Sequence, residues 1–85
     1  MKKKYWIYVL RSKINGTKYT GYTRDLEDRL HRHNLGEYPY TKKFRPWKII
    51  YKEEVESKSE AFKKEQFYKT GAGRKVLKGL LGSPT

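Results

Sequence analysis

The chain is 85 residues long and carries 21 Lys and Arg against 9 Asp and Glu, a net charge of +12. That length allows one domain with a thin core, and the absence of cysteine excludes disulfides, thiolate metal sites and a cysteine nucleophile. No apolar run approaches the ~18 residues of a membrane span, and the basic start Met1-Lys2-Lys3-Lys4 leads into no long apolar stretch, so neither a membrane partner nor a secretory signal is expected. A cysteine-free basic chain of this kind fits a reducing, cytoplasmic setting.

Tyr5-Trp6-Ile7-Tyr8-Val9-Leu10 is aromatic and β-branched, the composition of a strand. Asn15-Gly16 marks a hairpin turn, and the returning strand runs from Lys18 to Thr23. Gly21 inside that strand predicts a close approach of another group. Asp25 is a good N-cap, with Glu27 and Asp28 in the favourable first turn. Leu26, Leu30 and His33 then recur at helical spacing, and Gly36 is a suitable stop. Residues 37–46 hold two prolines and read as a loop, both basic and aromatic. Trp47 to Val55 reads as a third strand with Trp47, Ile49 and Tyr51 on one face. Ser57 or Ser59 can cap a helix reaching about Lys69, Ser57 with Glu60 in capping-box register. Gly71 and Gly73 should break that helix, and a short last one carries Val76, Leu77, Leu80 and Leu81.

The order is ββαβαα. It predicts an α+β domain over residues 1–81, a small three-stranded antiparallel sheet flanked by helices, with 82–85 a frayed tail.

The charge points to a polyanion. A solubilising surface needs a net charge of only about 2–8 in a small domain, whereas nucleic acid rewards each neutralised phosphate by counterion release. No helix shows the apolar stripe of an interfacial membrane anchor. Three residue sets could carry chemistry. Tyr8 and Tyr19 fall on paired strands within cross-strand reach, although strand tyrosines are commonly core. Arg29 and His33 are four apart on one helix face, a guanidinium to clamp phosphate beside an imidazole to move a proton; an isolated pair of this kind is also an ordinary basic face. Glu65 can hold Mg²⁺ if waters and phosphate complete the shell, or can simply pair with Lys69 one turn on. Glu60 is a weaker candidate for the same role.

Together the sets are more specific. Trp6-Ile7-Tyr8 and Tyr19-Thr20-Gly21 lie at the spacing of the two signature tripeptides of the GIY-YIG nuclease superfamily, which the chain resembles. The run Gly21 to Asn34, with Arg29 and His33, is similar to the helix that follows them. Tyr40-Thr41-Lys42-Lys43, Arg45-Pro46-Trp47 and Ser57 to Glu65 look like the rest of the small standalone bacterial members, the URI-domain proteins. The resemblance spans roughly Tyr5 to Leu81. Trp6 stands where the family has glycine and Thr20 where it has isoleucine; neither position supplies a catalytic side chain.

The resemblance implies a metal-dependent endonuclease that hydrolyses DNA phosphodiester bonds. Glu65 would bind one divalent cation, Mg²⁺ or Mn²⁺. Arg29 would stabilise transition-state charge, Tyr19 would orient water or phosphate, and Tyr8 would take the proton of the attacking water, helped by the metal, by a nearby cation or by His33 as proton relay, since a free phenol has a pKa of ~10. Products would carry 5′ phosphate and 3′ hydroxyl. Tyr40, Lys42, Lys43, Arg45, Lys63, Lys69, Arg74, Lys75 and Lys78 are the expected nucleic-acid contacts, and Tyr38, Tyr40 and Phe44 could stack on unpaired bases. So small a surface favours single-stranded or branched DNA, as met in repair, recombination or DNA uptake. An RNA-directed nuclease and a non-catalytic binding module of the same fold are the alternatives. Nothing in the sequence specifies a protein partner.

Overall fold

The computed structural model describes residues 4–82. The expected tail beyond Gly82 and the first three residues of the basic start lie outside the described residues. Three antiparallel strands, β1 (Tyr5–Ser12), β2 (Lys18–Thr23) and β3 (Trp47–Val55), form one sheet in the order β2-β1-β3. The helices are α1 (Leu26–Leu35), α2 (Pro39–Lys42), α3 (Lys58–Tyr68) and α4 (Gly71–Leu81).

β1 is the central strand, and both of its faces are covered. Ile7, Tyr8, Val9 and Leu10 are all 2 % exposed or less, which is why its sequence is a continuous apolar run rather than an alternation. Ile7 and Val9 pack with Val55, Ala61, Tyr68 and Leu77, beneath α3 and α4. Tyr8 and Leu10 pack with Trp47, Leu26 and Leu30, against α1. The domain thus has two thin cores back to back.

The expected fold class holds, with three local corrections. First, Tyr51 does not share the face of Trp47 and Ile49. Leu10 faces Ile49 while Val9 faces Tyr51. Ile50 is therefore the extra residue of a β-bulge, which turns Tyr51 to the α3 side. Second, residues 37–46 are not all loop: α2 forms there because Pro39 occupies its first turn, where the missing N–H costs nothing. Third, α3 ends at Tyr68 as expected, but the last helix starts earlier, with Gly71 and Gly73 in its first turn. Thr70 caps α4 by accepting from the Gly73 N–H at 3.0 Å, and a side chain at Gly73 would collide with the Phe67 and Tyr68 backbone.

Other local expectations match. Asp25 accepts from the Asp28 N–H, and Gly36 ends α1 in the left-handed region at φ 87°. Ser57, rather than Ser59, caps α3 through the Glu60 N–H.

Candidate active site

The cross-strand register sets the first half of the site. Tyr8 pairs with Gly21 and Leu10 with Tyr19, so Tyr8 and Tyr19 project from one sheet face on adjacent strands. Their rings lie 6.5 Å apart. α1 then lays its Arg29–His33 face over them. His33 is 1 % exposed; its ring meets Tyr19 edge-on at 5.2 Å. The Tyr8 hydroxyl lies 3.1 Å from His33 Nε2, and His33 Nδ1 lies 2.7 Å from Thr41 Oγ1. Thr41 can donate its own proton to the Tyr38 carbonyl at 3.5 Å. His33 thus links Tyr8 to Thr41 through its two ring nitrogens; in the tautomer with its proton on Nδ1, which donates to Thr41, Nε2 accepts from the Tyr8 hydroxyl.

Burial governs the ionisation of this pair. It lowers the His33 pKa to about 4, assisted by the charge of Arg29, because a desolvated imidazolium is costly. Burial also raises the Tyr8 phenol well above its usual range; Tyr19 adds to the rise and Arg29 opposes it. At neutral pH the pair is a neutral phenol hydrogen-bonded to a neutral imidazole.

Tyr38 completes this side. Its ring lies 4.6 Å from that of His33 and carries the Arg29 guanidinium 5.5 Å from its centroid. Tyr38, one of the three aromatics read from sequence as able to stack on bases, is half-buried beside Arg29 and His33. Asn34 pins α1 to the start of β3: its side chain accepts from the Trp47 N–H at 2.6 Å and donates to the Trp47 carbonyl at 3.2 Å.

Glu65 arrives from the other face. α3 packs beneath Ile7 and Val9, yet a concavity of about 450 Å³ brings Tyr8, Tyr19, Arg29 and Glu65 together around the β2 edge. Gly21, against which the Tyr8 phenol packs, itself lines the cavity. Glu65 is 8 % exposed. It accepts from Lys69 Nζ at 3.0 Å and from Gln66 Nε2 at 2.8 Å. Lys58 and Arg24 also line the cavity, two cations absent from the sequence-derived set.

Four of the five expected catalytic residues therefore share one cavity, and the fifth, His33, stands behind Tyr8. Glu60 is exposed and does not line the cavity. Of the expected nucleic-acid contacts, Tyr40, Lys42, Lys43, Lys63, Lys69, Arg74 and Lys75 are exposed. Arg45 is exposed too, but it donates to the Leu35 carbonyl at 3.0 Å, closing the C-terminal turn of α1. Sequence reasoning missed Thr41 as a partner of His33. The fixed point it needed was α2, which had been read as loop.

The sequence pattern of the GIY-YIG catalytic domain matches residues 4–76. This chain belongs to the GIY-YIG family. The match implies membership of a nuclease superfamily and takes in all five residues assembled above. A UPF0213 protein of Staphylococcus saprophyticus is 43% identical over 76 residues, covering 88% of this chain and 92% of its own. A UPF0213 protein of Staphylococcus aureus is 39% identical over 75 residues, covering 87% of this chain and 90% of its own. The solution structure of UPF0213 protein BH0048 from Bacillus halodurans superposes with a TM-score of 0.57 at 31% identity, covering 95% of this chain and 88% of that one. The GIY-YIG tripeptides correspond here to Trp6-Ile7-Tyr8 on β1 and Tyr19-Thr20-Gly21 on β2. Of those six, Tyr8, Tyr19 and Gly21 line the cavity, and Trp6, Ile7 and Thr20 do not.

Proposed function

We propose that this GIY-YIG chain is a metal-dependent endonuclease that hydrolyses DNA phosphodiester bonds, with single-stranded or branched DNA as its substrate. The observation that carries the reading is the convergence of Tyr8, Tyr19, Arg29 and Glu65 on one cavity, with Tyr8 bonded to a neutral His33. Cytoplasmic repair, recombination or uptake intermediates would supply such DNA.

The donor set fits one hard divalent cation. Among the described residues no group of three or more His, Cys, Asp and Glu side chains comes together, so no all-protein cage is available. A single carboxylate suits Mg²⁺ or Mn²⁺ retaining most of its water, with the substrate phosphate completing the shell. Each Glu65 oxygen accepts one hydrogen bond and keeps a further lone pair. Glu65 would hold the cation, which supplies charge neutralisation of the phosphate and of the leaving oxygen.

The chain's own residues do the rest. Arg29, fixed over Tyr38, offers its guanidinium to the equatorial oxygens of the phosphoryl group as negative charge builds there. Tyr8 takes a proton from the attacking water and releases its own to His33 Nε2. The phenol need not become a free phenolate, which its high pKa would forbid at neutral pH. Thr41 holds the imidazole in the tautomer that can accept. Tyr19 orients the water or phosphate by hydrogen bond. Attack breaks the bond to the 3′ oxygen, which takes a proton from water in the cavity, while His33, whose low pKa disfavours the charged form, returns its proton through Tyr8 to solvent; a 5′ phosphate and a 3′ hydroxyl remain.

The test is a cleavage panel on single-stranded, duplex, flap and branched DNA, with and without Mg²⁺, run alongside Glu65→Gln. Cutting that needs the cation and disappears in Glu65→Gln, with DNA binding retained, is the expected result. Metal-independent cutting, or equal cutting by the variant, overturns the metal role. Binding without cutting leaves a non-catalytic nucleic-acid module, and preferential cutting of the matched RNA strand makes it an RNA-directed enzyme.

A further inference from the structure

A second concavity, of about 540 Å³, adjoins the first and shares Tyr19 as a wall. Its volume lies in the range of about 300–1,000 Å³ typical of small-ligand sites. The floor is apolar: Leu77 and Leu81 of α4 with the Tyr68 ring. Two aromatic side chains bound it on the side nearest the first cavity. Tyr19 and Tyr40 lie 6.2 Å apart at 37°, and Tyr40 is 53% exposed. The rim is cationic: Lys18, Lys69, Arg74 and Lys78 all line the cavity, with no acidic side chain among its walls. An apolar floor, the half-exposed Tyr40 ring beside Tyr19 and an all-cationic rim match a planar base joined to a phosphodiester backbone.

We propose that this second cavity binds the base of one unpaired nucleotide next to the scissile phosphate. The inference rests on the nuclease reading for the position of that phosphate. The link between the two cavities is covalent in the substrate and structural in the protein. Lys69 lines the second cavity, bonds Glu65 of the first at 3.0 Å, and lies 5.9 Å from the Tyr19 ring centroid. A strand whose phosphate sits at Tyr8, Arg29 and Glu65 thus passes Tyr19 and presents its neighbouring base to Tyr40. A base stacked within a duplex has both faces occupied and is unavailable to such a pocket. The cavity thereby selects unpaired over paired DNA without reading sequence.

The proposal is tested by binding, independently of turnover. A short single-stranded oligonucleotide and the same oligonucleotide with one abasic position, moved along the strand in separate samples, are titrated by fluorescence anisotropy in EDTA. In the wild type, one abasic position weakens binding by about tenfold, the order expected for one base–aromatic stack, and the other positions change it little. Tyr40→Ala weakens the intact strand by a similar factor and removes the penalty of that abasic position. Tyr40→Phe, which keeps the ring, restores both. The proposal is overturned if no abasic position matters in the wild type, or if Tyr40→Ala keeps the full penalty. Base-dependent binding without metal-dependent cutting would sink the nuclease reading and leave the pocket standing. Metal-dependent cutting with no abasic effect would do the reverse.

Discussion

A Cβ atom placed on Gly21 would stand 2.6 Å from the hydroxyl oxygen of Tyr8 and 2.8 Å from the ring carbon that bears it. The phenol lies flat across β2 at the one residue that leaves it room. Gly21→Ala should therefore move the Tyr8 ring rather than unfold the domain. The expected cost is about 1–3 kcal/mol of stability, as for other overpacked sites. A displacement of about 1 Å lowers a positioned reaction by roughly 10²-fold, and cutting should fall by that order. Denaturation curves and nicking rates measured on the same preparation check it; unchanged nicking would show that Tyr8 needs no fixed seat.

His33 gives the fold a particular pH response. Its pKa is about 4 in the folded protein, lowered by burial and by Arg29, against an ordinary 6.5. Below about pH 6.5 the unfolded chain takes up a proton that the folded chain refuses. Stability from this group is complete above the unfolded pKa and is lost as pH falls from about 6.5 to about 4. Between about pH 7 and about pH 4.5 the loss is roughly 2 kcal/mol. In His33→Gln this contribution should vanish, so the gap between wild type and variant narrows by that amount on acidification. Urea melts of both proteins at the two pH values measure it. A gap that stays constant would mean His33 titrates normally.

In the proposed mechanism Tyr38 would be a positioning residue. Its ring centroid lies 5.5 Å from the Arg29 guanidinium and 4.6 Å from the His33 ring centroid. A cation–π contact is worth about 0.5–2 kcal/mol, so Tyr38→Ala should lower kcat by about tenfold with a smaller change in DNA affinity. Tyr38→Phe keeps the ring and should restore kcat. A loss confined to KM, or no rescue by Phe, would assign Tyr38 to substrate contact instead.

How much of this was legible in the sequence depends on the range of the interaction. Local signals transferred well: the Asp25 and Ser57 caps, the Gly36 stop and the extended β1 all follow from chemistry within a few residues. The Arg29–His33 pair was readable because helix geometry fixes residues four apart. The bulge at Ile50 was not, because it answers the packing of β3 on β1 rather than any preference of Ile49-Ile50-Tyr51. The same holds for Tyr38 and Thr41, whose roles exist only once α2 folds back on α1. Glu65 was found through the resemblance to a nuclease family. Its residue pattern alone fits a surface ion pair with Lys69, and that pair is present. The same carboxylate makes the pair and lines the cavity, so the two readings were never exclusive.

Glu53 is the anchor that sets the position of α3, and hence of Glu65. One oxygen of its carboxylate accepts from the Tyr51 hydroxyl at 2.9 Å and the Tyr68 hydroxyl at 2.7 Å, and the other pairs with Lys64. Burial alone would raise its pKa, but Lys64, Tyr68 and Tyr51 outweigh burial and hold it below the usual carboxylate range. The β-bulge contributes here, since it turns Tyr51 to the side where Glu53 and Tyr68 meet. Glu53→Ala takes the charged acceptor away from the Tyr68 hydroxyl and leaves it the Tyr51 hydroxyl as partner. The cost expected for losing a hydrogen bond to a charged group is about 1.5–3 kcal/mol. Glu53→Gln, which keeps an acceptor oxygen, should cost less. Because α3 carries both Lys64 and Glu65, the alanine variant should also speed amide hydrogen exchange along α3 more than along α1. Exchange mass spectrometry on the two helices decides it: equal acceleration in both would mean that Glu53 supports the fold at large and not the seat of Glu65.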